Sequence, residues 1–404
     1  MNKTFLLVPG NNSLSHIAKC LAVREALCLR GHTEHIAVSK VSSGFLKKIQ
    51  IDHYVLPDIQ ESDGAMLPTI EWFRHQQPII DCIKAEVSML EKLRPDRVLG
   101  IFRFTLKASA QITSIPYDSL TCGCMTPDSD EVLGFEGNEP GMKQQRIILE
   151  GFYRYAGARL SDAYGAFNVN GVYHVLSALK GEHTFLWDFP EFAPLPMGNG
   201  SIHIGPFSWN RWPYDNIDID HISNGRRLAI LAFGTCVSQA ETAGRIIPLL
   251  LDLGYNVLIA SGGQKNILEG MPQNSRVIAL TYAPLHRLLP HASLVISHGG
   301  QMTMFEALQN KVPVIVMPFQ PEQAHNGVCL ERIGCGSRLV PSMPFQGNPL
   351  VYIDALRSMT DDEVKSKISS LVENPDTPRR LQHIKGVMGR YEGVQKLVTV
   401  LETA

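Results

Sequence analysis

The sequence predicts an α/β protein built from two parallel, helix-covered sheets with a linker between them. Short apolar runs alternate with stretches in which apolar residues recur at helical spacing. Strands that alternate with helices are typical of parallel sheets whose faces are covered by helices. A stretch rich in proline, aromatic and turn-forming residues interrupts the alternation near residue 210. The chain is therefore expected to hold two α/β halves.

The first half opens with the pattern strand, loop, helix. Residues 3–9 form an apolar run that ends in a turn cluster, and helical spacing then predicts a helix over residues 16–29. The apolar runs at residues 36–38 and 97–102 predict further strands. Between residues 123 and 200 the pattern loosens into aromatic residues and glycines. This stretch is interpreted as an insertion that carries helices.

The alternation starts again after residue 225. Runs at residues 227–233, 255–260, 294–297 and 312–317 are nearly all apolar, as burial on both faces of a parallel sheet demands. We therefore predict an N-terminal domain over residues 1–205, a linker over 206–224 and a C-terminal domain over 225–404. A return of the last helix to the N-terminal domain is left open.

Composition excludes several classes of function. The 404 residues carry 37 Lys and Arg against 39 Asp and Glu, a formal net charge of −2. A nucleic-acid or anionic-membrane surface would need a basic excess. No apolar run approaches the roughly 20 residues of a membrane span, and the N-terminal run is too short for a secretion signal. We expect no nucleic-acid partner, no membrane span and a cytoplasmic location.

The cysteines predict neither disulfides nor a zinc site. Eight of them are scattered along the chain without a C-x-x-C pair, which favours reduced thiols. Cys122 and Cys124 are interpreted as packing residues at a strand end. Aromatic residues that fit either an acceptor pocket or the core are Phe152, Tyr153, Tyr155, Trp209 and Trp212.

The most informative segment follows the apolar run at residues 294–297. His298, Gly299 and Gly300 stand between this predicted strand and a predicted helix. Unpaired N–H groups at a helix start bind anions, and glycines let a diphosphate approach the backbone. Thr303 adds a side-chain donor, so the sequence predicts a diphosphate site.

Carboxylates and an amide follow the predicted diphosphate site. Glu306 lies two turns along the helix, where it suits the two hydroxyls of a ribose. Glu322 and Gln323 come after the next strand, at the carboxyl end where open α/β sheets bind ligands, and suit sugar hydroxyls. This order of groups is typical of a nucleotide-sugar site.

Residues 297–336 resemble the donor-binding signature of the family 1, UDP-glycosyltransferase-like enzymes of the bacterial natural-product type. The match runs in order through H-G-G, T, E-A-L, V-P, an acidic residue followed by Gln, and G-x-G. The resemblance implies the GT-B fold, in which two Rossmann-like domains face each other across a cleft. It also implies donor contacts from further residues: Gly234, Thr235, Tyr282, Ala283 and Met302.

The N-terminal half is similar to the same family. The stretch from Ser15 to His32 resembles the family's G-H-x-x-P opening, helix and R-G-H ending, which makes His16 the catalytic base. Many relatives pair this histidine with an aspartate, but the aligned residue here is Ile101. Either Asp118 or another carboxylate replaces it, or the acceptor is acidic enough to need little help.

The resemblance implies an inverting, metal-independent transfer of a sugar from a nucleotide diphosphate to a small soluble acceptor. The nucleotide-sugar is a substrate, so no cofactor is expected. Glu306 favours UDP, with thymidine donors left open, and a homodimer is left open too. Asp218 and Asp220 match the D-x-D metal pattern but lie in the predicted linker, so no metal site is expected there.

Two other classes of function remain open from the sequence. A GT-B sugar-nucleotide epimerase would share the phosphate site but would need no second pocket. A non-catalytic helper subunit that binds a sugar nucleotide would explain Ile101.

Overall fold

The structure, a computed structural model, describes residues 2–11, 13–59, 69–218, 222, 225–234, 240–262, 267, 274–348 and 350–404. The chain divides into two compact units. The first comprises Met1–Asp130, Ile147–Trp209 and Tyr391–Ala404, and the second comprises Glu131–Arg146 and Asn210–Arg390. The predicted domains are continuous ranges, whereas residues 131–146 lie in the second unit and residues 391–404 in the first.

The strands and helices of the described residues alternate along the chain. The strands are β1 (Thr4–Pro9), β2 (Thr33–Val38), β3 (Tyr54–Val55), β4 (Arg97–Ile101), β5 (Tyr117–Thr121), β6 (Thr184–Leu186), β7 (Ser201–His203), β8 (Leu228–Ala232), β9 (Asn256–Ala260), β10 (Val277–Leu280), β11 (Ala292–Ser297), β12 (Val314–Val316) and β13 (Gly336–Arg338). The helices are α1 (Leu14–Leu29), α2 (Lys40–Lys48), α3 (Gln76–Leu93), α4 (Leu106–Thr113), α5 (Met142–Gly165), α6 (Ala240–Asp252), α7 (Leu285–Leu288), α8 (Gln301–Gln309), α9 (Pro321–Arg332), α10 (Leu350–Ser358), α11 (Asp361–Val372), α12 (Thr377–Met388) and α13 (Val394–Thr403).

Each unit is built on a parallel sheet. Across the described residues, the first sheet has seven strands in the order β3-β2-β1-β4-β5-β6-β7. The second has six in the order β10-β9-β8-β11-β12-β13. The predicted two-sheet α/β architecture is confirmed. Apolar side chains fill every position of β8 and β12, as burial on both faces requires.

Both sheets reverse their strand order once, and these reversals place the loops of interest. In the first sheet the reversal lies between β1 and β4, and in the second between β8 and β11. Ligands of open α/β sheets bind beside such a reversal, at the carboxyl ends of the strands. His298 lies in the loop after β11, and His16 lies in the first turn of α1, the helix that follows β1; these are the two histidines that the sequence pointed to.

The irregular region between residues 123 and 200 contains the long helix α5 and the short strand β6. The expected helical insertion is therefore present, although it also supplies β6 to the first sheet, between β5 and β7. No helix among the described residues has the length and apolar character that crossing a membrane requires.

A buried arginine ties three segments of the first unit together. Arg103, which is 2% exposed, bonds Glu86 through Nε at 2.7 Å and Asp58 through Nη1 at 2.7 Å. It also donates from Nη2 to the carbonyl oxygen of Pro57 at 2.6 Å. The Asp58 carboxylate accepts in turn from the backbone N of Asn11 at 3.0 Å. The loop that leads to α1 is thus anchored to the loop after β4 by charge.

Replacing Arg103 by methionine is expected to lower the free energy of unfolding by about 3–5 kcal/mol, because Glu86 and Asp58 would stay buried without their partner. The control is Arg74→Met, which removes an exposed ion pair with Glu71 and should cost less than about 1 kcal/mol. Urea unfolding of the two variants measures both values. Equal losses would contradict the structural role of Arg103.

Candidate active site

His16 lies in the first turn of α1, at the carboxyl end of β1. The Ser13 side chain caps this helix by accepting a hydrogen bond from the backbone N of Ser15 at 3.1 Å. The preceding loop lies tightly against the loop after β4, since a Cβ on Gly10 would lie 2.5 Å from the carbonyl oxygen of Phe102. His16 therefore has a well-defined place beside the reversal of the first sheet.

The surroundings of His16 keep its imidazole neutral. The ring packs against Phe102, with 5.2 Å between the ring centroids. Desolvation and the nearby Lys19 ammonium lower the pKa of His16 to about 3, while the backbone of Gly10 opposes this shift. Lys19 lies over the Trp187 ring, with 3.9 Å from Nζ to the centroid. At neutral pH the imidazole is unprotonated, the state that a general base needs.

The carboxylate that orients such a histidine is not found at the expected places. Nδ1 of His16 is buried and has no hydrogen-bond partner among the described residues, and Ile101 is 1% exposed at the end of β4. Asp118 does not replace the missing aspartate. Its oxygens bond the guanidinium of Arg97 at 2.6 and 2.9 Å and the ring of His183 at 2.8 Å, so a buried ion network already holds it.

His298 follows β11 beside the reversal of the second sheet. Its Nδ1 lies 3.3 Å from the carbonyl oxygen of Ala232, the last residue of β8. Because a carbonyl oxygen only accepts, Nδ1 carries the proton and Nε2 of the neutral ring bears a lone pair. Desolvation lowers the pKa of His298, and the bond to Ala232 opposes this shift.

Glycine backbone encloses the His298 ring. A Cβ on Gly234 would lie 2.9 Å from Cε1 of the ring, and a Cβ on Gly300 would lie 2.5 Å from Nε2. Real Cβ atoms do not come this close to another heavy atom, so a side chain at either position would displace the ring. Thr235, the other predicted donor residue in the loop after β8, lies outside the described residues.

Gly299 forms the turn between β11 and α8. Its φ of 90° is left-handed, and a Cβ there would lie 2.6 Å from the carbonyl oxygen of Gln323 and 2.8 Å from Cγ1 of Val316. Its N–H donates to Ser297 Oγ at 3.1 Å, and its carbonyl accepts from Asn326 Nδ2 at 2.8 Å. Only glycine fits this position, and both sides of the turn are held by side chains.

The predicted donor residues of α8 share one face of the helix. The helix starts directly after Gly300 without a side-chain cap, the arrangement that leaves N–H groups for an anion. Met302, Thr303 and Glu306 are half-buried, while the residues of the opposite face are buried. Glu306 lies near Tyr214, whose pKa is raised by desolvation and then by this carboxylate.

The loop that precedes α7 is organised by Asp215, a residue that the sequence analysis left in the linker. Its Oδ2 accepts from the backbone N of Thr281 at 2.6 Å and of Tyr282 at 3.0 Å, and its own N–H donates to the Tyr282 carbonyl at 3.0 Å. Both backbone groups of Tyr282 are therefore used within the protein. The carbonyl of Ala283, the next residue, accepts from the backbone N of Leu285 at 2.9 Å.

Glu322 and Gln323 open α9 and take part in the turn's own hydrogen bonds. The Gln323 side chain accepts from the backbone N of Phe319 at 2.9 Å. Glu322 accepts at 2.7 Å from the amide of Asn326, the side chain that also holds Gly299. The two predicted sugar-binding residues thus lie next to the His298 turn, and their hydrogen bonds fix the carboxyl end of β12.

Comparisons with known proteins bear on this arrangement. Residues 235–340 match the family model described as glycosyltransferase family 28 C-terminal domain. The chain is 24% identical over 352 residues to the PGL/p-HBAD biosynthesis rhamnosyltransferase of Mycobacterium bovis, which covers 83% of this chain and 76% of the relative.

Two solved structures are similar over the whole chain. The glycotransferase of kitacinnamycin superposes with a TM-score of 0.74 at 15% identity, covering 100% of this chain and 99% of the other. The glycosyltransferase VinC in complex with dTDP superposes with a TM-score of 0.70 at 15% identity, covering 99% and 98%. The chain is a GT-B glycosyltransferase. The predicted fold and enzyme class are confirmed. The domain model that matches is that of glycosyltransferase family 28, whereas the sequence motifs resemble those of family 1.

In this glycosyltransferase the segment Glu131–Arg146 packs within the second unit. Glu139 bonds the guanidinium of Arg338 at 2.9 Å. Further along the segment, Gln145 accepts from the backbone N of Phe345 at 2.8 Å. Charged and polar contacts thus fasten this segment, which the sequence analysis placed in the N-terminal domain.

Glu131 begins the same segment and forms an ion pair with α9. Its carboxylate lies 2.7 Å from Nε2 of His325, which is 1% exposed, and 2.5 Å from the guanidinium of Arg332. Cys329 Sγ lies 3.5 Å from the same imidazole nitrogen. Glu131, His325 and Cys329 are close enough to hold a metal ion. Because Arg332 already places a positive charge on this carboxylate, the arrangement favours an ion pair over a cation site.

The ion pair makes stability depend on pH in a defined direction. Desolvation alone would lower the pKa of His325, but Cys329 and Glu131 together raise it to about 10. Because the pKa of His325 is higher in the folded state, the protonated imidazole stabilises the folded protein fully at pH values below its unfolded-state pKa of about 6.5. This stabilisation is lost as the pH rises toward 10.

We expect the difference in unfolding free energy between the native protein and His325→Gln to shrink by about 1 kcal/mol per pH unit above pH 7. Urea unfolding near pH 6.5, 8 and 9.5 measures this difference. A difference that stays constant over this range would show that His325 is not the protonated partner of Glu131.

Proposed function

We propose that this glycosyltransferase moves a sugar from a nucleotide diphosphate to a small acceptor by one in-line displacement that inverts the anomeric carbon. The second unit binds the donor, the first binds the acceptor, and no metal or cofactor takes part. The observation that carries the proposal is the His298 turn. It places an imidazole enclosed by glycine backbone at an uncapped helix start, beside the strand reversal where α/β sheets bind ligands.

The donor's diphosphate rests on the first N–H groups of α8 and on Nε2 of His298. Nδ1–H donates a hydrogen bond to the Ala232 carbonyl oxygen, so Nε2 can donate a second one only when the ring is protonated. The charge of the diphosphate favours this imidazolium. A fixed cationic donor and a helix N-terminus then meet the charge that develops on the leaving group, in the place of a metal ion.

The nucleotide is proposed to be UDP. Glu306 lies on the half-buried face of α8 and offers a carboxylate to the two ribose hydroxyls, one of which a deoxyribose lacks. The N–H of Ala283 binds the edge of the base. VinC was solved with dTDP, so thymidine donors belong in the same test. Because one relative is named as a rhamnosyltransferase, nucleotide-activated 6-deoxyhexoses are also included among the donors to be tested.

The state of His16 favours a phenolic acceptor. A base with a pKa near 3 has little driving force to take a proton from an aliphatic alcohol. A carboxylate partner would strengthen it, but Ile101 occupies the expected place and Asp118 is held by Arg97. A phenol gives up its proton far more easily, so the histidine can act without that partner.

The presence of Ile101 in place of an orienting aspartate also favours a second candidate function. A helper subunit that binds a sugar nucleotide without transferring it would need no orienting carboxylate. Such a protein would bind UDP-glucose but would turn over no acceptor, and His16→Ala would leave the activity of its partner enzyme unchanged.

Donor binding is expected to take up a proton at His298. The ring is neutral in the free protein, because its pKa is lowered, and becomes charged beside the diphosphate. UDP-glucose is the probe, since its diphosphate, esterified at both ends, does not titrate near neutral pH. Calorimetry at pH 7.5 in two buffers of different ionisation enthalpy should show uptake approaching one proton, and affinity should fall as the pH rises further.

The matched variant is His298→Asn, which cannot titrate. It should bind about 10–100-fold more weakly, as expected for loss of one charge-assisted hydrogen bond, and should take up no proton. The assignment of His298 to the diphosphate would be contradicted if the native protein bound UDP-glucose without taking up a proton. It would also be contradicted if His298→Asn still took up a proton on binding.

A transfer assay tests the function itself. UDP-glucose, UDP-GlcNAc and dTDP-rhamnose are incubated with 4-nitrophenol, phenol and cyclohexanol, with and without EDTA, and products are detected by mass spectrometry. We expect turnover of the phenols, with kcat/KM at least about 100-fold above cyclohexanol, and no effect of EDTA. His16→Ala should lose about 100-fold with phenol but much less with 4-nitrophenol, whose hydroxyl ionises near neutral pH.

The exposed residue His75 provides the control, because His75→Ala removes a histidine from the same unit far along the chain from His16. Its rates should equal those of the native protein. Equal rates with cyclohexanol and phenol would contradict the proposal that the enzyme prefers acidic acceptors. Loss of turnover in EDTA would contradict the metal-free mechanism.

A further inference from the structure

Two thiols lie side by side at the carboxyl end of β5. Cys122 and Cys124 flank Gly123 directly after the strand, and their Sγ atoms are 3.7 Å apart. Neither is in a disulfide; Cys122 is half-buried and Cys124 is 5% exposed. The pair lies at the edge of the sheet that carries His16, where ligands of open α/β sheets bind.

The backbone between the thiols is held in place. The N–H of Gly123 donates to the buried carboxylate of Asp188 at 2.7 Å, and its carbonyl accepts from Thr126 Oγ1 at 2.9 Å. A Cβ at Gly123 would lie 2.9 Å from Cβ of Ala193, so the loop is packed closely as well. The thiols therefore face each other because the backbone is fixed, and rotation about their own side-chain bonds would bring them together.

The thiol pair lies near Tyr153, an aromatic residue that on sequence fits either an acceptor pocket or the core. Tyr153 is close enough that desolvation and then Cys124 raise its pKa, with Glu150 and Cys122 acting in the same direction. The Tyr153 ring lies 4.6 Å from that of His174, centroid to centroid. A change in the charge or position of the thiols would therefore change the surroundings of Tyr153, which packs against His174.

We propose that Cys122 and Cys124 are a modification site that closes reversibly to a disulfide under a disulfide oxidant such as oxidised glutathione. The thiolate of the more exposed Cys122 attacks one glutathione sulfur and releases the other as reduced glutathione. The Cys124 thiolate then attacks Cys122 Sγ and releases the second glutathione. Two thiols and one oxidised glutathione become one protein disulfide and two reduced glutathiones, with two electrons passing to the oxidant.

The small ring makes this disulfide easy to reduce, because departure from relaxed disulfide geometry raises the reduction potential. Closing it moves both Sγ atoms toward each other beside Tyr153. Resting on the proposed function, the consequence is weaker acceptor binding in the first unit with donor binding in the second unit unchanged.

The test incubates the full chain with defined ratios of oxidised to reduced glutathione, followed by acid quenching, alkylation, proteolysis and mass spectrometry. The peptide that contains residues 122–124 should lose two hydrogens and escape alkylation, in a fraction set by the glutathione ratio and reversed by dithiothreitol. Cys124→Ser should instead retain a glutathione on Cys122, and Cys82→Ser, a matched buried cysteine variant, should behave as the native protein.

A native peptide that stays alkylated at both cysteines, or that carries only glutathione, would overturn the proposal. With UDP-glucose and 4-nitrophenol, oxidation should raise the KM of the phenol on the order of tenfold and leave that of UDP-glucose unchanged. An unchanged KM for both would overturn the link to acceptor binding. Failure of the reduced protein to transfer sugar would count against the proposed function alone, since the peptide map decides the disulfide independently.

Discussion

The lack of a side chain at the glycines around His298 is the constraint on which the proposed donor site depends. Gly234 and Gly300 leave room for the imidazole between two stretches of backbone, and Gly299 turns the chain with a φ that only glycine adopts easily. A methyl group at any of these positions would move the ring or the turn. The imidazole can therefore lie directly beside the helix start of α8, because these three positions carry no Cβ.

This turn is held from behind by helix α9. Asn326 donates to the carbonyl of Gly299, and the residue before it, His325, is bound to Glu131. A segment that lies far from α9 in the sequence thus stabilises the helix whose side chains fix the His298 turn. Because the imidazole of His325 is 1% exposed, removing Glu131 would leave it buried without its carboxylate partner, whereas Glu131 would keep Arg332 if His325 were removed. An ion pair outside the His298 turn therefore stabilises the helix on which the proposed donor site depends.

The fold could be predicted from the sequence, because the apolar runs are local patterns, and the H-G-G segment lies between β11 and α8 as its local pattern predicted. Its role in binding a donor stays a prediction. The contacts of Asp215 could not be predicted, since one carboxylate in a polar stretch gives no sign that it accepts from the backbone of Tyr282. Asp118, one of the alternatives for the missing aspartate, bonds Arg97 instead, and only the fold reveals this contact. Strand β3, two residues long, carries no periodic signal at all.

The two histidines have different neighbours, and the proposed mechanism gives them opposite tasks. Both lie beside a strand reversal and both are held neutral by desolvation. In that mechanism His298 becomes protonated when the donor binds, because the negative charge of a diphosphate would favour the imidazolium. His16 receives no such charge from a neutral acceptor, and Ile101 offers none. The protein can therefore stabilise the leaving group strongly while assisting the nucleophile weakly, which shifts selection toward acceptors that ionise by themselves.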